Sequence, residues 1–490
     1  MSNQLPFLVI GIPLFTALLI AIVGVLRPRL VTLIGSTGML LSTLSSILLF
    51  KTVQELGVQT YHFGNWKPPF GIAYLVDHLN ALMILLIFIV SLFAYIYSLK
   101  SVKLEISENK HAFYYTLYFL LISGLVGITI TGDAFNLYVL IEICALSSYS
   151  LLAAGGKKTY FATFYYLLIG TIGACFYLIG VAYLFIKTGS LNMVHLFELI
   201  EPIYFTKSIL VAFIFINVGL FIKMALFPLH SWLPNIYTKA PISTTCLLAP
   251  LGTKLSIYVL LRFYFNVFSH EYVYQVLNIQ NLMVWLATIA IIMGSIYAVF
   301  HTSYRKVITF IVVAEIGYII GGVWTGHPDS LTAAIYHIVA DSLMTLSLFM
   351  IGGMILFYLK SEKLSDSANI FRQLPFTAIG LIIVFASIVG IPPTSGFFSK
   401  LYLIKGAFQM GYFQFIIALL FSSLVSLFIF FRIFEEYFYN KPKESSIIQI
   451  KESRLFIIPI MGVSAAIIGL GITFNYWYQY ISNIIPAGLR

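Results

Sequence analysis

The sequence predicts an all-α polytopic membrane protein of about fourteen transmembrane helices, on three observations. Of its 490 residues, 60% are hydrophobic and only 9% are Asp, Glu, Lys or Arg, against about 25% charged residues in soluble domains. Apolar runs of the ~20 residues needed to cross a bilayer recur from one end of the chain to the other. Two of these runs are interrupted by proline, each with a lysine within a turn or two of the interruption.

Taken in order, the spans fall near 5–26, 30–50, 74–98, 113–131, 133–153, 160–186, 207–228, 241–267, 280–301, 304–325, 330–359, 374–400, 411–438 and 454–484. The first run lacks a basic leader and a small-residue cleavage site, so it reads as a span and not as a removable signal. The loop 51–73, with YHFGNW and KPPFG, has room for a short hairpin. No long Ser/Gly-rich or charged linker divides the chain, so 1–490 reads as a single membrane domain.

Loops after odd-numbered spans hold Arg27, Arg29, Lys100, Lys103, Lys110, Lys157, Lys158, Lys239, Arg305, Lys306, Lys360, Lys363, Arg372, Lys441, Lys443 and Lys451. Loops after even-numbered spans hold little beyond Lys51, Lys67, Lys187, Lys207 and Lys405. The positive-inside rule then places the odd loops in the cytoplasm and both termini outside. The net charge of +10 is accounted for by those loops, without a nucleic-acid partner. Cys144, Cys175 and Cys246 all lie in apolar runs and read as small core residues, with no disulfide or metal spacing.

The stretch Phe221–Arg262 organises the rest. Its apolar run carries Lys223, Pro228 bends or breaks the helix five residues later, and a polar, aromatic linker follows. The next run carries a second isolated lysine, Lys254. A further break stands in span twelve, Gly390-Ile391-Pro392-Pro393-Thr394-Ser395-Gly396, with Lys400 shortly after it. Broken helices at matching places in two halves point to two inverted five-helix repeats with the site near the midplane. The repeats are about 113–267 and 280–438, with flanking helices in 5–98 and 454–484.

Ionisable residues inside membrane spans are costly and by default functional. Glu142 sits in span five, Glu315 in span ten, and His337 and Asp341 share a face of span eleven at a spacing of four. That spacing suits a plain hydrogen bond between the two as well as a proton relay. His230 reads as a hydrogen bonder in the linker, and His301 and Arg305 as ordinary loop residues. A lysine carried into low dielectric grips its proton less tightly, and a carboxylate brought near restores the grip. The row Glu142, Lys223, Lys254, His337 and Lys400, with Asp341 and Glu315 beside it, therefore suits protons better than a solute. No Gly-rich phosphate loop, redox cysteine set or haem motif is present, so no cofactor is expected and redox chemistry is left to other chains.

GDAFNLYVLIEICALSSYSLLA, FPLHSWLPNIYTKAPIS, LGTKLSIYVLLR and GIPPTSGFFSKLYLIKGAF resemble the proton-translocating antiporter-like family. That family includes the D-type subunit of Mrp-type multisubunit cation/proton antiporters and the large membrane subunits of respiratory complex I and membrane-bound hydrogenases. The resemblance covers roughly 75–435 and looks nearest to the D-type subunit or its counterpart in membrane-bound hydrogenases. It implies that Glu142 and Lys223 form an acid–lysine pair, that Lys254 is a middle carrier and that Lys400 is the terminal carrier toward the outside. Asn235, Tyr237 and Lys239 stand where the family usually writes Asp, His and Glu, and Pro250, Ser256, Glu315 and Thr345 also depart from its pattern. The expectation is a proton-translocating subunit of a sodium/proton antiporter in a bacterial or archaeal cell membrane, with other membrane subunits as partners. The alternative is a proton-pumping subunit of a complex I-like or hydrogenase enzyme.

Overall fold

The computed structural model describes residues 4–66, 68, 71–361, 363–364, 373–438 and 452–489. Lys67, Arg372, Lys441, Lys443 and Lys451, used above to orient the loops, lie outside the described residues. The chain opens with α1 (Leu5–Leu26) and α2 (Val31–Leu56), followed by β1 (Gln59–His62) and β2 (Ala73–Val76). The strands pair antiparallel from Gln59↔Val76 to His62↔Ala73, which is the hairpin expected in the 51–73 loop, with its second strand running slightly past it. Then come α3 (His78–Glu105), α4 (His111–Ile130), α5 (Ala134–Ala153), α6 (Lys157–Thr188), α7 (Met193–Ile200), α8 (Lys207–Met224), α9 (Trp232–Lys239) and α10 (Ile242–Asn266). The remaining helices are α11 (Gln280–Phe300), α12 (Tyr304–Trp324), α13 (Pro328–Leu359), α14 (Pro375–Val389), α15 (Ser395–Gln409), α16 (Phe413–Phe438), α17 (Arg454–Ile472) and α18 (Phe474–Ser482). Thirteen described helices are long and apolar enough to cross a membrane, and α14 with α15 supplies the expected broken one.

The residues cluster into two compact units. The first comprises 1–95, 105–224 and 251–277, and the second 96–104, 225–250 and 278–490. In the first, α1 packs on α2 and α4, and α6 on α5 and α8. A methyl group at Gly219 of α8 would press on the backbone of Gly173 and Tyr177 in α6, the small-residue approach that lets helices associate where no water drives them together. In the second unit α12 and α13 form the core, with every residue of α12 except Lys306, and the run Ser330–Ile355 of α13, buried. Around them pack α9, α11, α14, α15, α17 and α18.

Each break follows from its prolines. Pro228 can neither donate to the carbonyl of Met224 nor clear it sterically, and α8 stops at Met224 with Ala225 at φ 60°. In the same way Pro392 and Pro393 remove the donors for Ile388 and Val389, and α14 ends at Val389 with Gly390 at φ 91°. The Phe227–Pro228 and Pro392–Pro393 bonds are both cis. At the second break backbones touch directly: a Cβ at Gly396 would collide with the Ser387 carbonyl, and one at Gly471 of α17 with that of Pro393. Pro250, by contrast, sits inside α10 without ending it.

Several expectations need correction. The linker after Pro228 contains α9, a short amphipathic helix. Arg305 is not a loop residue: it lies in the first turn of α12, 3% exposed, and donates to the carbonyls of Tyr237 at 2.5 Å and Ala240 at 2.7 Å. It thereby caps the otherwise unsatisfied C-terminal carbonyls of α9. Cys175 is exposed on the surface of α6, whereas Cys144 and Cys246 are buried. The last span is α17 followed by α18, divided at Thr473.

The first unit is locked by Arg262 of α10. Its guanidinium donates to Asp77 Oδ2 at 2.6 Å, to Asn266 Oδ1 at 3.0 Å, to the Tyr258 hydroxyl at 2.9 Å and to Asn80 Oδ1. Asp77 also accepts from the backbone N–H groups of Leu79 and Asn80, at the start of α3. Asn80 itself donates to the carbonyls of Leu75 and Thr129. Arg262→Met leaves Asp77 and Asn80 without their main partner. Breaking a fully buried pair costs ~3–5 kcal/mol, and Asp77 is 22% exposed. The expected loss is therefore about 2–3 kcal/mol, read as a lowered unfolding temperature of the detergent-purified protein. An unchanged melting curve would show the network to be ornamental.

Candidate functional site

In the second unit four residues singled out from the sequence are brought together with two partners. Glu315 on α12 and His337 on α13 are 2% and 0% exposed, and Oε2 of the first lies 2.5 Å from Nε2 of the second. The other ring nitrogen, Nδ1, lies 2.8 Å from the hydroxyl of Ser399 on α15. Tyr318, one turn along α12 from Glu315, places its ring 5.6 Å from that of His337.

Lys400 is the next residue on α15, 5% exposed. Its Nζ donates to the carbonyl of Ile388 and, at 3.0 Å, to Ser423 Oγ of α16, and it sits 5.0 Å over the Tyr318 ring. The first contact follows from the break: Pro392 has no N–H for Ile388, and the ammonium takes the vacant carbonyl at the negative end of α14. Glu315 acts on Lys400 through space. The lysine is thus held between a helix end, a ring face and a carboxylate, all of which favour positive charge.

His337 and Asp341 share a face of α13 but are not bonded to each other. His337 uses both nitrogens on Glu315 and Ser399, and Asp341 accepts from Thr345 Oγ1 at 2.9 Å. Asp341 is nevertheless 1% exposed and one turn from His337, so it belongs to the same buried polar column.

In the first unit Lys223 does not sit deep within its helix. It is the penultimate residue of α8, directly at the break, because Pro228 ends that helix earlier than the apolar run suggests. Its Nζ lies against Gly170 of α6, beside the Tyr149 hydroxyl. Glu142 of α5 acts on it through space but makes no direct ion pair, and Glu142 Oε1 is enclosed without a hydrogen bond. Lys254 of α10 is 0% exposed, which rules out snorkelling to an interface.

His230 stands just past the first break, its ring stacked 5.0 Å from that of Phe227. With Ser231, Asn235, His301 and Lys306 it lines a cavity of about 350 Å³. Sequence reasoning missed Ser399, Tyr318 and Arg305. Serines in apolar helices mostly bond back to their own backbone, so nothing in GFFSK marks Ser399 as facing a histidine 62 positions away.

The family model described as NADH:quinone oxidoreductase/Mrp antiporter, TM, matches residues 131–426, more than half of the chain. The N-type subunit of the NADH-quinone oxidoreductase of Desulforudis audaxviator (strain MP104C) is 34% identical over 506 aligned residues, covering 100% of this chain and 99% of the relative. The D-type subunit of the Na(+)/H(+) antiporter of Bacillus subtilis (strain 168) is 30% identical, covering 90% of this chain and 88% of the relative. Among solved structures, a chain of the membrane-bound sulfane sulfur reductase (MBS), an archaeal respiratory membrane complex, matches with a TM-score of 0.89 and 27% identity over 98% of this chain and 97% of that one.

Proposed function

Because the chain belongs to the NADH:quinone oxidoreductase/Mrp antiporter membrane family, we propose that it moves protons within a multisubunit sodium/proton antiporter of a bacterial or archaeal cell membrane. It is an antiporter-like membrane subunit of the Mrp or complex I type. The observation that carries the reading is the buried column Glu315–His337–Ser399 with Lys400 at the helix break. Histidine, carboxylate and lysine are groups that take and release protons, and here they sit buried within hydrogen-bond or electrostatic reach of one another. Glu142 and Lys223 are the corresponding acid and lysine of the first repeat, about 113–267. Lys254 is the middle carrier, and Lys400 hands the proton outward. The repeats are inverted and both termini face outside in this scheme.

A second reading, a proton-pumping subunit of a complex I-like enzyme, is favoured by the 34% identical relative that matches this chain from end to end. Purification of the native complex separates the two. Small antiporter subunits among the co-purifying chains support the first, and iron–sulfur subunits the second.

Partner subunits are also required for turnover in the first reading. The purified chain alone in liposomes is expected to show sodium-dependent proton exchange at background level, while the assembled complex exchanges well above it. Robust exchange by the single chain overturns the requirement.

A further inference from the structure

We propose that Ser399 is a positioning residue that carries the protonation state of the Glu315–His337 pair to the break between α14 and α15. This rests on the proton-translocation reading and goes beyond it by naming a hydroxyl switch. Two groups contact one hydroxyl: Nδ1 of His337 at 2.8 Å and the carbonyl oxygen of Gly396, to which Oγ donates, at 3.0 Å. A serine hydroxyl has one proton to donate, and a carbonyl can only accept. With both contacts made, the hydroxyl proton points to Gly396, so Nδ1 must carry a proton of its own and donate to Oγ.

The other face of the ring fixes the remaining count. Nε2 and Glu315 Oε2 are 2.5 Å apart, which requires one proton between them. The pair in this geometry therefore holds two protons in all: one on Nδ1 and one shared between Nε2 and Oε2. Its net charge is zero, as imidazolium with carboxylate.

When one proton leaves, a carboxylate faces Nε2 and can only accept, so the remaining proton stays on Nε2. Nδ1 then becomes an acceptor, and the donor it meets among the described residues is the Ser399 hydroxyl. That hydroxyl must turn away from Gly396 toward the ring. Loss of a proton from the pair thus withdraws a hydrogen bond from the first turn of α15. Gly396 is also where α15 is tied back to α14, its N–H donating to Ser387 Oγ at 3.0 Å. Lys400, which reaches back to the Ile388 carbonyl, stands one turn further along. A proton count on α13 is converted into the hydrogen bonding of the segment that carries the outward lysine.

Other ionisable groups surround His337. Tyr318 comes from α12 and Lys400 from α15, while Asp341 and Tyr336 are on α13 itself. No ionisable residue occurs on α14, α17 has only Arg454 at its first position, and α18 brings Tyr476, Tyr478 and Tyr480. Of these tyrosines, Tyr478 donates to Asp329 at the start of α13. None of these groups replaces Ser399 as the acceptor of the Nδ1 proton, since both ring nitrogens are already committed.

The test is the pH dependence of proton exchange by the assembled complex in everted vesicles, compared for wild type, Ser399→Ala and Ser399→Thr. Without the hydroxyl, protonated His337 loses the acceptor of its Nδ1 proton and the deprotonated ring loses its donor, but the bond made by the charged ring is the stronger of the two. The alkaline limb of the Ser399→Ala profile is expected to move to lower pH by up to about one unit, the margin by which a hydrogen bond to a charged group exceeds one to a neutral group. Ser399→Thr, which keeps a hydroxyl, is expected to retain the wild-type limb. Superimposable profiles for wild type and Ser399→Ala overturn the inference, as does a Thr variant shifted as far as the Ala variant, because side-chain volume would then be responsible. A wild-type complex that moves no protons at all sinks the function reading instead, so the two failures are distinct.

Discussion

Glu142→Gln is expected to abolish cation-dependent proton exchange in everted vesicles while the amount of assembled protein stays at the wild-type level. Glu142 is the acid that acts on Lys223 through space, and its enclosed Oε1 has no other hydrogen bond to preserve. The substitution keeps shape and removes charge, so packing changes little and the lysine loses its counter-charge. A fall of at least about tenfold, equivalent to ~1.4 kcal/mol in the barrier, is the expected scale. Glu142→Asp keeps the charge on a shorter arm and retains part of the rate. Near-normal exchange by the Gln variant would remove Glu142 from the relay.

Lys400→Arg is expected to stop turnover as completely as Lys400→Ala. Arginine can occupy the same place, donating to the Ile388 carbonyl and resting over Tyr318, so charge and fold survive. It cannot give up its proton at any accessible pH, whereas a lysine removed from water can. The pair of variants therefore separates two roles. A fixed cation that merely caps α14 is satisfied by arginine, and only a carrier is defeated by it. The measurement is the initial rate of proton exchange normalised to assembled complex, with a drop of about tenfold or more expected. An arginine variant with wild-type rate makes Lys400 structural and moves the outward step to Asp341 and His337.

The helices and both breaks were legible because they depend on local chemistry. Runs of about 20 apolar residues announce themselves in a window, and Pro228 and Pro392-Pro393 mark their own interruptions. What local chemistry cannot reveal is which side chains meet. His337 and Asp341 share a face by arithmetic, yet His337 is turned to Glu315, 22 residues earlier, and Ser399, 62 residues later. Arg305 looked like one more loop charge, because nothing at its own position says that the end of α9 leaves carbonyls for it to cap. The run carrying Lys223 continues as far as Pro228, but the helix ends four residues short of the proline, since the clash falls on the residue four positions back. Glu142 and Lys223 were paired by resemblance, and the structure sets them at electrostatic range without a direct bond.

The bare backbone contacts at Gly396 and Gly471 bear on how mutants of this protein should be sorted. A side chain at either position is driven into a carbonyl, of Ser387 in one case and Pro393 in the other. A genetic screen for loss of function will collect alleles at both codons, since neither glycine tolerates even alanine without a shift of main chain. The Gly396 alleles fall on the same helix as Lys400 and the Gly471 alleles on α17, which packs against that helix, so both would mimic lesions of the proposed relay. Immunoblots of the membrane fraction would tell them apart: the glycine alleles are expected to deplete the protein itself, and Glu142 and Lys400 alleles to leave it at the wild-type level.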